Sequence, residues 1–225
     1  SSKYNNSEEY NGTSWTEGNN LNTARSAMGS SDQSQTSGLV FGGNSGSVVA
    51  LNEAYNGTSW TEVADLNTGR KTLAGSGASS TSALAFGGTP PVTAITESWN
   101  GTAWTEVADL NQARNNLASS GTQGAALAFG GHPPNLANTE QFDGTSWTEV
   151  ADLATGRREL TGFGTQTLAL AVAGNSGSRT AATEEWSFPP GVPNVQEGQV
   201  WVLSVEGSSS VMKGYAAQGT GAWAT

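Results

Sequence analysis

The chain has no cysteine, a single histidine and few cations, and these gaps settle much before any pattern is sought. Without cysteine there is no disulfide, no thiolate chemistry and no cysteine-bound metal; either side of a membrane would suit such a chain. With His132 as the lone histidine, neither a Ser-His-Asp arrangement nor a multi-histidine metal site can be assembled. Only 9 basic side chains face 19 acidic ones, a net charge of −10 that repels phosphate backbones and anionic lipid. Nucleic acid is therefore a poor partner. The apolar runs are short and broken by glycine, so none is fit to span a bilayer and no membrane insertion is expected. Charge is also sparse, at 12% of residues, which taken alone suggests disorder; eight tryptophans and regular apolar stretches point instead to packed, short-turned strands.

What the sequence does have is repetition. Glu53 to Arg70 returns as Glu97 to Arg114 and as Glu140 to Arg157, with a looser copy from Glu8 to Arg25 and a truncated one at Thr183-Glu184-Glu185-Trp186. Trp15, Trp60, Trp104 and Trp147 are spaced by 45, 44 and 43 residues, and Arg25, Arg70, Arg114 and Arg157 keep the same steps. A period in the forties marks an array or a propeller.

Each period divides into four strand-sized pieces. In the copy after Arg70 these are Leu73 to Gly77, Ser82 to Phe86 ending at Gly87-Gly88, Val92 to Trp99, and Thr102 to Val107. Asn11-Gly12, Asn56-Gly57, Asn100-Gly101 and Asp143-Gly144 sit between the third and fourth pieces, and predict a two-residue hairpin of type I′. A single four-stranded blade cannot bury its own faces, so neighbours must stack about an axis.

A Gly-Gly doublet after an apolar strand, then Glu-x-aromatic, then tryptophan, then arginine before the next unit resembles the kelch repeat over residues 1 to 186. The resemblance implies an all-β fold: a kelch-like β-propeller of four-stranded antiparallel blades, about five of them, with residues 1–188 as the propeller. Two departures from the usual kelch pattern are the short hairpin before Trp60 and the near identity of the copies. The copper oxidases of this architecture need histidine ligands and a Tyr-Cys crosslink, which this chain lacks. Residues 189–198 read as a Pro/Gly linker and 199–225 as a β-hairpin module, whose Gly219 to Thr225 echoes Gly101 to Thr105 as though a further repeat began there. This hairpin, Glu197 to Val205 with Val211 to Tyr215, resembles a small element of fibre and tail proteins of marine bacteriophages. The first copy lacks a first and second strand and the last lacks a fourth. Ser1 to Glu17 is therefore expected to complete the last blade as a latch, unless flanking sequence adds further blades. Starting in mid-repeat with no initiator methionine, the chain is expected to be a piece of something longer.

The resemblance implies a phage virion structural or adhesion protein, a tail or capsid fibre on the virion surface or otherwise extracellular. Its partners would be other virion proteins, a cell-surface glycan or protein, and further copies of itself. A purely architectural spacer is one alternative; a secreted bacterial kelch-type protein acting on glycans is the other. No enzyme activity, cofactor or metal is expected, since nearly every carboxylate belongs to the repeat. The repeated tryptophans are read as packing between blades rather than as sugar platforms. The repeated Glu and Arg are read as structural ion pairs or arginine-to-carbonyl bonds rather than a binding ring. Asp65, Asp109 and Asp152 are read as turn formers rather than calcium ligands. The asparagine sequons are read as turns, since Asp143 replaces one. Because strands alternate in direction, the loops between second and third strands share a face with the links between blades. Those loops differ from copy to copy, so recognition is placed there, with His132, Asn135 and Arg179 as the binding candidates.

Overall fold

The computed structural model describes residues 3–31 and 34–187, together with the strands Trp201–Leu203, Val211–Lys213 and Ala222–Ala224. No helix occurs among these residues. The first hairpin pairs β1 (Glu8–Tyr10) with β2 (Trp15–Glu17). The first full sheet runs β3 (Gly29–Ser31), β4 (Leu39–Phe41), β5 (Asn52–Tyr55) and β6 (Trp60–Val63), in that order. The second is β7 (Ala74–Ser79), β8 (Ser82–Phe86), β9 (Thr96–Trp99) and β10 (Trp104–Glu106). The third is β11 (Ala118–Thr122), β12 (Ala125–Phe129), β13 (Thr139–Phe142) and β14 (Trp147–Val150). The fourth takes β15 (Thr161–Gly164), β16 (Leu168–Val172) and β17 (Thr183–Ser187). Beyond it β18 (Trp201–Leu203) and β19 (Val211–Lys213) pair only with each other.

The last strand, β20 (Ala222–Ala224), corrects two expectations. It pairs antiparallel with β17, setting Trp223 opposite Trp186. That is the register of Trp104 opposite Trp99 and of Trp147 opposite Phe142. The echo of the repeat at Gly219 to Thr225 therefore completes the fourth sheet instead of opening a new one. Ser1 to Glu17 does not supply that strand, because β1 and β2 pair only with each other. The repeat's fourth strand is present in the last copy, but the β18–β19 hairpin separates it in sequence from the third.

The hairpins fall where the sequence placed them, but the turn differs. Tyr10 pairs with Trp15, Tyr55 with Trp60 and Trp99 with Trp104, leaving four-residue loops rather than two-residue ones. Only the glycine is left-handed, with φ of 93°, 89°, 91° and 93° at Gly12, Gly57, Gly101 and Gly144. The preceding side chain closes the loop: Asn56 Oδ1 accepts the amides of Thr58 and Ser59, each at 2.9 Å. Asp143 does the same with Thr145 and Ser146 at 2.8 Å, so a carboxylate serves as well as an amide. The four accepting side chains explain the Asn/Asp rule without a type I′ turn.

The third strand is shorter than Val92 to Trp99 because its first residues are taken by other partners. Gly87 donates to Ile95, Leu110 to the Ala94 carbonyl and Arg114 to that of Thr93, so this segment ties to the link between sheets.

The first strands β3, β7, β11 and β15 lie side by side in series, and all four line one groove of about 240 Å³. Between the sheets lie apolar layers. Leu84 and Phe86 of the second sheet pack against Ala126, Ala128, Phe142 and Trp147 of the third. Small residues on the first strands permit this approach. A Cβ on Gly75 would sit 2.5 Å from the Ser30 carbonyl oxygen of the neighbouring sheet.

The Gly-Gly doublet has the same kind of cause. Gly43, Gly88 and Gly131 each donate, at 2.9 Å, to the carbonyl of the arginine that opens the next sheet. A Cβ on Gly42, Gly87 or Gly130 would lie 2.4 to 2.6 Å from that same oxygen. Such an overlap leaves no room for a side chain.

Candidate functional site

The repeated arginine and glutamate form a buried staple within each sheet. Arg25 pairs with Glu53 at 3.1 Å and Arg114 with Glu140 at 2.9 Å, while Arg70 pairs with Glu97 and Arg157 with Glu184. All eight side chains are at most 3% exposed. Each arginine comes from the link that enters a sheet, and each glutamate from that sheet's third strand. The guanidinium also caps strand carbonyls: Arg114 donates to those of Gly130, Asn138 and Ala128. The second carboxylate oxygen accepts from the link, as Glu140 Oε2 does from the amide and side chain of Asn111 at 2.7 and 2.8 Å. Burial holds the Arg114 and Arg25 guanidinium groups below their ordinary pKa, and the facing glutamates partly restore it. With both oxygens of each carboxylate engaged, these buried pairs anchor the links.

The other repeated groups are likewise engaged. Asp65, Asp109 and Asp152 accept the first amide of the third strand, from Asn52, Thr96 and Thr139 at 3.0 to 3.2 Å. Among the described residues no group of three or more His, Cys, Asp or Glu converges on one point. Trp104 sits edge-on to Phe41 and Trp147 edge-on to Phe86, each bridging to the preceding sheet, so packing between sheets is their role.

The links and the second-to-third loops, which differ from copy to copy, share one face. The residue after each repeat arginine forms a bridge with the residue after the doublet: Ser26 with Asn44, Lys71 with Thr89, Asn115 with His132, Arg158 with Asn175. Links and second-to-third loops therefore share a face, as strand alternation requires. The next residue in each link, Ala27, Thr72, Asn116 or Glu159, has positive φ of 51° to 58°. Strain of this kind in a threonine needs a reason. A line of backbone bonds supplies it: Thr72 donates to Ala27, Asn116 to Thr72 and Glu159 to Asn116, at 2.8 to 2.9 Å. This line, one residue before the groove-lining Met28, Leu73, Leu117 and Leu160, stitches four sheets together.

The three candidates fall on this face. His132 Nδ1 lies 3.2 Å from Arg158 Nη1, a contact between the third and fourth sheets. Arg158 Nε is 3.6 Å from Glu159 Oε1, and its side chain remains 32% exposed. Arg179 is exposed, and its backbone bridges Asn175, the residue that also bridges Arg158. Asn135 lies against the same link, where a Cβ on Gly156 would come within 2.7 Å of its carbonyl oxygen. Its side-chain Oδ1 is buried and has no hydrogen-bond partner. The structure thus brings His132 against Arg158, sets Arg179 one backbone bridge further on across Asn175, and leaves Asn135 near Gly156 of the same link.

Arg158, Lys71, Asn115 and Asn116 belong to this face and were missed by motif reading. Their signal was nevertheless in the sequence: the two residues after the repeat arginine are Ser-Ala, Lys-Thr, Asn-Asn and Arg-Glu, different in every copy. Four of the six arginines are locked in staples, whereas Lys71, Arg158 and Arg179 all lie on this one face. Chemically it combines cationic donors, amides and hydroxyls around a groove, an arrangement suited to polar ligands with some negative charge. No protein-family model matches the chain, and no curated protein is similar enough to it to be matched.

Proposed function

We propose that the repeats are kelch-like blades of a β-propeller and that the protein is a non-enzymatic binding scaffold, a phage tail-fibre or capsid-fibre component displayed on the virion surface. Its link face recognises a cell-surface glycan or protein. One observation supports this most: the copies keep their staples, tryptophans and Asn/Asp-Gly loops, while the links and second-to-third loops on the face carrying His132, Asn135, Arg158 and Arg179 differ from copy to copy. Loops on a rigid support are where recognition is built. Individually weak contacts gain from copy number on a particle.

The test is retention on a glycan array and on host cells, for the 225-residue chain and for a variant with His132, Asn135, Arg158 and Arg179 all changed to Ala. Retention should be lost with the thermal midpoint unchanged. Equal retention by the variant, or none by the parent chain, sinks the reading. A second reading, an architectural module that binds other chains, draws support from apolar side chains exposed on the fourth sheet.

A further inference from the structure

The exposed large apolar side chains among the described residues fall into two groups, at opposite ends of the array. Tyr4, Tyr10 and Trp15 are 46 to 70% exposed at the first end. Phe163, Leu168 and Leu170 are 38 to 64% exposed at the last. Interior copies of the same positions are covered. Leu39, Leu84 and Leu127 match Leu170 in the repeat, and all three are fully buried by the following sheet.

The fourth sheet is not simply an uncovered copy. At the position of Phe163, the earlier copies have Ser31, Ser76 and Ser120, which donate to carbonyls of the next sheet at Ser79, Ser120 and Thr165. At the position of Leu168 they have Ser82 and Ala125. A terminal face of a repeat array is ordinarily more polar than its interior. Here it becomes more apolar, and a patch of this kind marks an interaction surface. The other change concerns what could cover it. Ala173 stands where Gly42, Gly87 and Gly130 must stay bare to admit the next link's arginine carbonyl. The occupant is therefore not another full repeat with its link.

The first hairpin fits that description. It consists of only the third and fourth strands of a copy, β1 and β2, and its open side presents Tyr10 and Trp15, whose rings lie 5.3 Å apart. In the interior that pair of positions covers the previous sheet: Phe142 and Trp147 pack on Leu84 and Phe86. We propose that the two ends are the halves of one interface, and that the β1–β2 hairpin of a second copy seats Tyr10 and Trp15 on Phe163, Leu168 and Leu170 of the first. The contact continues, between molecules, the packing already used between sheets. It is head to tail, so assembly proceeds to a ring or a filament according to the rotation per step. With a net charge of −10 on each copy, added salt strengthens association by screening their repulsion.

Sedimentation of the full 225-residue chain over a wide concentration range provides the test. The parent chain should associate, and Leu168→Ser with Leu170→Ser, or Trp15→Ser alone, should weaken association by about tenfold or more. Both variants alter exposed residues, so their monomers should melt as the parent does. Mixing the two is the decisive arm, since each retains the half that the other lacks. The mixture should form dimers that grow no further. A parent chain that stays monomeric at every concentration overturns the proposal, whether its ends stay bare or meet within one molecule. Association that survives both variants, or a mixture that fails to dimerise, overturns it equally.

Discussion

The third and fourth sheets are built on the same repeat, yet they differ in how they are finished. The third is covered on both faces, its Leu127 and Phe129 fully buried and its Asp143-Gly144 loop joining two adjacent strands in four residues. The fourth, among the described residues, leaves Phe163, Leu168 and Leu170 exposed on one face, and its outer strand β20 arrives only after the β18–β19 hairpin. The difference teaches that the repeat encodes two separable things: a sheet, which forms wherever the strands are present, and an interface, which needs a neighbour. Where the neighbour is missing the sheet persists and the residues at the interface change.

Substitutions at matched positions break or sharpen this contrast. The largest effect is expected from Arg114→Ala, which strands the buried Glu140 carboxylate and should cost about 3 to 5 kcal/mol in chemical denaturation. Replacement of both partners by apolar residues should recover much of that loss. Next comes Leu127→Ala, expected to cost about 2 to 5 kcal/mol, against Leu170→Ala, within about 0.5 kcal/mol for dilute protein. Equal losses at the two sites would mean that the fourth sheet is covered after all. Gly130→Ala forces a left-handed alanine into the Arg157 carbonyl and should cost more than about 2 kcal/mol, whereas Ala173→Gly should change stability by less than about 1 kcal/mol. The loop substitution Asn100→Ala should cost about 1 kcal/mol by removing an acceptor for two amides.

The smallest effect concerns acid. The Ser146 amide, followed by that of Thr145, holds the exposed Asp143 carboxyl below its ordinary pKa. A folded pKa lower than the unfolded one gives stability that is present above the ordinary aspartate range and lost as pH falls through the folded value. Asp143→Asn should therefore flatten that part of the acid limb, while leaving stability near neutrality unchanged. A limb of unaltered slope would show that the loop does not depend on the charge.

Much of this was readable in the chain. The period, the apolar second strand and the Asn/Asp-Gly rule each report a local requirement, so strands and hairpins emerge from short windows. Turn geometry did not, because Asn56 closes its loop with a side chain, which favours the same residues as a type I′ turn. The partner of β17 was also hidden, since the intervening residues carry no repeat signal and Trp223 looked like a beginning. At the candidate site the loops were legible as variable, and His132, Asn135 and Arg179 lie in loops on the face shared with the links. Arg158 was overlooked because it follows the invariant Arg157 and reads as part of the motif; only its 3.2 Å approach to His132 gives it a separate place.

The line of amides from Glu159 through Asn116 and Thr72 to Ala27 has a direction, since each later copy donates to the one before. An array organised this way is a vector, and its two termini can never be equivalent. The head-to-tail contact proposed above would carry that direction unchanged from one copy to the next.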